Sequence, residues 1–243
     1  MVICAILGAR VLMRNRALRK FVRNVHQRVH QAEERGVIFT EETVVEHRRK
    51  DPRTSAIEMQ KVRSLVRQAE KAIAQSKYGD AEALFIQALT INPQAYDVQA
   101  QLAKLYLVTD REAKAEALYR ELLRHCEDVS FFANLGLAYY RQGKYVDACK
   151  AYQEALNRDP KNPERCASLG KACIAAHRYE EAAALLEKAL QRLARDTELL
   201  HLLAESYLQL GQTAKAEETY RRINRLEPYD EVVKAKLSEL ARV

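Results

Sequence analysis

The residues best able to do chemistry here are six histidines and five cysteines. The histidines His26, His30, His47, His125, His177 and His201 are scattered along the chain. His26 and His30 stand one helical turn apart, a spacing that can hold a metal. No third ligand accompanies them, and the surrounding arginines would repel a cation. An odd cysteine count without a Cys-x-x-Cys pair argues against a disulfide framework and a zinc site, and fits a reducing compartment. Cys149, Cys166 and Cys173 share their predicted helix faces with Leu, Ala and Tyr, as small apolar residues do. Glycine-rich phosphate loops, Gly-x-Ser-x-Gly and His-Glu-x-x-His are all lacking. The acidic pairs Glu180-Glu181 and Glu217-Glu218 fall near expected helix starts, where the dipole accounts for them. No catalytic, cofactor-binding or metal-binding residue is predicted, and the expected function is non-enzymatic.

The elements that would position a binding site are helices. Few Gly and Pro, with abundant Ala, Leu, Glu, Lys, Arg and Gln, point to an all-helical chain. At 48% hydrophobic and 30% charged, it can bury a core. The net charge of +7 is uneven: residues 1–61 hold 13 Lys/Arg against 7 Asp/Glu. The basic character therefore sits in the N-terminal arm.

That arm opens with an apolar run, Met1 to Ala9, too short for the ~20 residues of a membrane span. Arg10, Arg14, Arg16, Arg19, Lys20, Arg23 and Arg28 follow it, the order of a membrane anchor's inner end and its cytoplasmic flank. The rest of such an anchor would lie upstream of Met1. Leu18, Phe21, Val25, Val29 and Ala32 recur at helical spacing and make residues 1–35 a basic amphipathic helix. It can lie on an anionic membrane surface, pack on the repeats or self-associate, or bind nucleic acid. Apolar residues ahead of the charges favour the first; the lack of base-reading motifs puts nucleic acid last. Residues 36–61 form a linker and lead-in helix, with Asp51-Pro52 as the break.

From residue 62 a period takes over. The window Val129 to Asn162 reads Phe132-x-x-Leu135-Gly136-x-x-Tyr139, Ala148-x-x-x-Tyr152-x-x-Ala155, then Pro160. These spacings resemble the tetratricopeptide repeat, a helix–turn–helix unit of about 34 residues. The family usually has Trp where Phe132 stands. The register runs through 62–95, 96–128, 129–162, 163–196 and 197–230, with one residue missing from the second unit. Its deletion is expected in the connection Arg124 to Ser130, because a deletion inside a helix would rotate its apolar face. Residues 231–243, with Val232, Val233, Leu237 and Leu240 on one side, read as a capping helix. The resemblance implies an all-α, right-handed superhelical solenoid of five hairpins with a C-terminal capping helix, preceded by the basic N-terminal helix.

In this family the first helix of each repeat lines a concave peptide groove. Carried onto this sequence, the groove includes Lys104, Leu107, Ala133, Asn134, Leu137, Tyr140, Arg141, Lys171, Ile174, His201 and Glu205. Small and apolar positions flanked by Lys104, Arg141 and Lys171 suit a peptide with apolar anchors and some acidic character. A chaperone-binding subgroup clamps a C-terminal carboxylate; Asn134 matches one clamp position, but Val66, Glu70 and Ser130 do not, so that activity is not expected. The resulting expectation is a non-catalytic scaffold with a peptide or protein partner and no cofactor, in the cytoplasm and peripheral to a membrane. A self-associating assembly subunit and an accessory to a separately encoded enzyme are the alternatives.

If the arm is a membrane-surface element, the full chain should co-sediment with anionic vesicles, and removal of residues 1–35 should abolish this. Replacing Arg14, Arg16, Arg19 and Lys20 with Gln should weaken binding, each charge contributing ~1 kcal/mol. Full-length protein that ignores such vesicles would refute the assignment.

Overall fold

A computed structural model describes residues 56–241. The predicted basic N-terminal helix and the histidine pair lie outside the described residues. Eleven helices fill the described region: α1 (Ala56–Ala74), α2 (Tyr78–Ile91), α3 (Tyr96–Val108), α4 (Glu112–Leu122), α5 (Val129–Arg141), α6 (Tyr145–Arg158), α7 (Pro163–Ala175), α8 (Tyr179–Leu190), α9 (Thr197–Gln209), α10 (Thr213–Leu226) and α11 (Glu231–Leu240). Consecutive helices pair as five hairpins, each packs on the next, and α11 rests on α10. The described chain is the all-helical solenoid expected from the period.

Two kinds of helix start alternate. From α5 onward, the first helix of each hairpin begins with an acidic or amide cap. Asp128 accepts from the Ser130 N–H at 2.7 Å, Asn162 from Glu164 at 3.0 Å and Asp196 from Leu199 at 3.0 Å. Asp230 does the same for α11, accepting from Val232 and Val233. Such caps satisfy backbone donors that the helix itself leaves open.

The second helices have no side-chain cap and start from a tight reversal instead. Its pivot is a residue with positive φ: Ser76, Asp110, Gly143, His177 or Gly211. The N–H of the following residue reaches back to the first helix: Lys77 to Ala72, Arg111 to Tyr106, Lys144 to Tyr139, Arg178 to Cys173 and Gln212 to Tyr207. Each bond is 2.8–2.9 Å long, so one turn geometry recurs five times. Three pivots are not glycine, which places a left-handed side chain at each of those turns. α4 stops at Leu122 after 11 residues, the shortest of the second helices, and residues 123–128 connect it to α5.

Packing follows the small positions. Ala69, Ala103 and Ala204 on first helices, and Ala81, Ala115, Ala148, Ala182 and Ala216 on second helices, are fully buried. At Gly136 the approach is closest: a Cβ there would lie 2.8 Å from Cδ1 of Tyr152. At Gly170 it would meet Leu186 at 3.0 Å. The buried side chains form two clusters, one over the first three hairpins and one over the last three, and Leu137 and Tyr139 pack against both. Val233 is the buried anchor of α11, with Leu237 and Leu240 beside it.

Among the described residues no helix is long and apolar enough to cross a membrane. Gly136→Leu is expected to destabilise the fold by ~2 kcal/mol or more, because the Tyr152 ring cannot retreat without moving α6. An unchanged denaturant midpoint would contradict this contact.

Candidate functional site

The predicted groove residues lie on first helices that touch one another directly, α3 with α5 and α7 with α9. Lys104 on α3 is exposed, whereas Leu107 is 4% exposed and offers a ligand little surface. On α5, Ala133, Asn134 and Leu137 are half-buried. Tyr140 is 36% exposed, and its ring meets that of Tyr145 edge-on at 5.5 Å. Ile174 on α7 is half-buried against the core, and Glu205 on α9 is exposed.

Polar members of the set make bonds of their own. Arg141 donates to the Leu107 carbonyl at 2.6 Å and lies 3.5 Å from Asp110. Its guanidinium thereby closes the C-terminal end of α3, in the preceding hairpin. Lys171 donates to Glu198 of the next hairpin at 2.5 Å. His201 Nε2 lies 3.9 Å from Asp230, at the turn into α11, and its ring faces Tyr220 edge-on. Asn134 stands beside the buried Tyr119 hydroxyl. Burial pushes this phenol up to about 12, and the neighbouring amide pulls it partly back. Arg141, Lys171 and His201 therefore tie one repeat to the next. The signal was present in the sequence as an opposite charge about one repeat away.

A second set of polar joints escaped the sequence reading. Glu82 on α2 accepts from the Tyr106 hydroxyl at 2.9 Å and from Arg111 at 2.7 Å. The Arg111 guanidinium also lies 4.7 Å from the Tyr106 ring centroid. One repeat on, Glu116 accepts from Gln142 at 2.8 Å and Lys144 at 2.9 Å, and the Lys144 ammonium lies over Tyr139. Glu187 takes the Tyr207 hydroxyl. Where Glu82 and Glu116 would recur, the third joint has Cys149, and opposite it Cys173 replaces the tyrosine. The two buried sulfurs lie 3.8 Å apart. Burial pushes the Cys173 thiol up to about 12, with the neighbouring Cys149 adding to the shift. Such a thiol packs as an apolar group and is a poor nucleophile at neutral pH. Among the described residues, no group of three His, Cys, Asp or Glu is placed to hold a metal.

A buried small residue on each of the paired helices and a left-handed turn recur in every hairpin and define the repeat. A family model described as the cilia and flagella-associated protein 70 C-terminal domain matches residues 21–242. The chain belongs to this family. It is a tetratricopeptide-repeat protein, similar to mouse tetratricopeptide repeat protein 21B at 28% identity over 174 residues. That match covers 71% of this chain and 13% of the relative. Human cilia- and flagella-associated protein 70 is 27% identical over 182 residues, covering 71% of this chain and 16% of its own length. The chain thus spans only a small part of the curated relatives it matches. Among solved structures, the fold is similar to YrrB, described as a TPR protein with an unusual peptide-binding site. The TM-score is 0.65 at 15% identity, covering 76% of this chain and 99% of that one.

The buried tyrosines of the joints carry a pH dependence. Burial raises Tyr106, Tyr139, Tyr152, Tyr207 and Tyr220 above their ordinary value of 10.0, and Tyr119 to about 12. A phenol that holds its proton more tightly in the folded chain contributes stability that is complete below pH ~10 and is lost as pH rises toward the folded values. Stability should fall above pH ~10, with tyrosinate absorbance from this set appearing together with loss of helix. Full titration of all twelve tyrosines near pH 10 with helicity intact would contradict their burial.

Proposed function

We propose that the chain is a non-catalytic interaction scaffold that holds a segment of a partner protein along its first helices. The observation that carries this reading is that Lys104 and Tyr140 stand exposed on first helices, α3 and α5, that touch each other. Both are exposed, and no described residue forms an ion pair with Lys104. An exposed tyrosine supplies rigid apolar area with a polar tip, and a free ammonium supplies attraction for a carboxylate. Ala133 and Leu137, half-buried on α5, form the apolar floor between them. Ile174 and Glu205 extend the surface toward the C-terminal hairpins.

The ligand that fits is an extended or helical peptide with an apolar anchor near Tyr140 and an acidic residue near Lys104. The family and the human relative are named for cilia and flagella, which supports a place within a ciliary protein assembly. The arm of residues 1–35 would hold the scaffold at the cytoplasmic face of a membrane.

Peptides selected from a random displayed library on the full chain should be enriched in acidic and apolar residues. Lys104→Glu and Tyr140→Ala should each weaken them at least about tenfold, the scale of losing a central anchor. Val232→Ser on α11, also exposed, should leave them unchanged. Peptides that bind the Lys104→Glu and Tyr140→Ala proteins as well as the parent would refute the groove.

A further inference from the structure

At the open end of each hairpin, the first helix starts beside the finish of the second. In the α3/α4 hairpin this end is filled and neutralised from within. The Tyr96 ring stacks on His125 at 5.1 Å, and Glu121 bonds Arg124 at 2.9 Å and lies 3.5 Å from His125. The α5/α6 hairpin repeats the device: Glu154 bonds Arg158 at 2.5 Å, and Arg158 lies 4.0 Å from the Phe132 ring centroid.

The α7/α8 hairpin departs from it at two positions together. Lys188 stands where Glu121 and Glu154 stand in the repeat register, four residues before Arg192. Pro163 stands where Tyr96 stands. The carboxylate and the aromatic filler are both lost, while a basic side chain at the place of His125 and Arg158 is kept. A cavity of about 180 Å³ opens there, lined by Lys161, Pro163, Cys166, Lys188, Gln191 and Arg192 among others. This is well above the ~10–15 Å³ that admits one water.

No carboxylate lines the cavity. Among the described residues, the Arg192 guanidinium donates to the Lys161 carbonyl, at 3.3 Å, and meets no carboxylate. No described residue forms an ion pair with Lys161, Lys188 or Arg192. Lys161, Lys188 and Arg192 are exposed, and Pro163 and buried Cys166 supply apolar wall beside them.

The geometry points to an anion-binding pocket in the fourth repeat that takes the phosphoryl group of a small soluble phosphate ester, in place of the missing glutamate. In each of the two preceding hairpins one carboxylate serves the basic side chains, Glu121 in the first and Glu154 in the second. Here the cations are three, with the Gln191 amide as a further donor, and that set matches a dianion with several terminal oxygens. The pocket lies at the helix ends and does not use the groove residues of the first helices.

Pyrophosphate is the probe, titrated calorimetrically into the full chain at low and moderate salt, with acetate as a monoanion control. The N-terminal arm is also basic, so the comparison that matters is with Lys188→Glu, which restores the glutamate of the two preceding hairpins. The parent should bind pyrophosphate in preference to acetate and lose affinity as salt rises. Lys188→Glu should weaken binding at least about tenfold, since it replaces a charge-assisted donor by a competing internal anion. Its thermal midpoint should equal or exceed the parent's, and Lys104→Gln should bind as the parent does. Equal binding by the parent and Lys188→Glu would overturn the pocket, as would a parent that binds neither anion or does not prefer pyrophosphate to acetate.

Discussion

The contact on which the structure depends is a small residue on the first helix of a hairpin set against a large one on the second. Gly136 under the Tyr152 ring is the tightest case, with no space for a single added carbon. A lone hairpin closed this way still leaves an apolar face on each helix, and only the next hairpin covers it. The left-handed residue at each turn fixes how far the chain reverses, so five pivots of one geometry deliver five hairpins of one shape. The aromatic positions then fill what the small positions leave open, and Tyr119 and Phe85 are almost completely buried in that role.

Much of this architecture was legible in the residues. Ala, Gly, Tyr and Leu recur at fixed offsets, and a period is harder to mistake than any single helix. Val129–Asn162 alone set the register. Ser76, Asp110 and His177 occupy the turn position of Gly143 and Gly211 without being glycine, so composition could not show that the pivot was common to all five hairpins. The candidate groove was less legible. A helix position facing inward in the family pattern need not face a ligand, because side-chain length decides where the charge ends. Arg141 reaches back to the carbonyl of Leu107, Lys171 reaches forward to Glu198, and Leu107 sinks into the core. Lys104 stays at the surface, and so does Tyr140, its ring set edge-on to that of Tyr145.

Polar joints divide the molecule's electrostatics into local accounts. Glu82, Glu116 and Glu187 each settle with groups of the following repeat, and few charges act at long range. Departures from the pattern are then informative. A substitution that removes only one partner would leave a buried group unsatisfied, whereas Cys149 with Cys173 replaces both sides together and keeps the packing. At Lys188 the sign is reversed without a matching change at Arg192, and a cavity stands open beside them.

The joint of the two cysteines differs mechanically from its neighbours. A solenoid carries tension in series, each joint bearing the same load as the last. Along most of the array that load is shared between apolar packing and ties such as Glu82 to Tyr106 and Arg111, or Glu187 to Tyr207. Between α6 and α7 the corresponding tie is a thiol beside a thiol, a much weaker link. Stretched from its ends, that joint would resist through the fit of Tyr152, Cys166 and Leu169 in one apolar cluster, with the Asp159–Arg165 ion pair at 2.9 Å beside them.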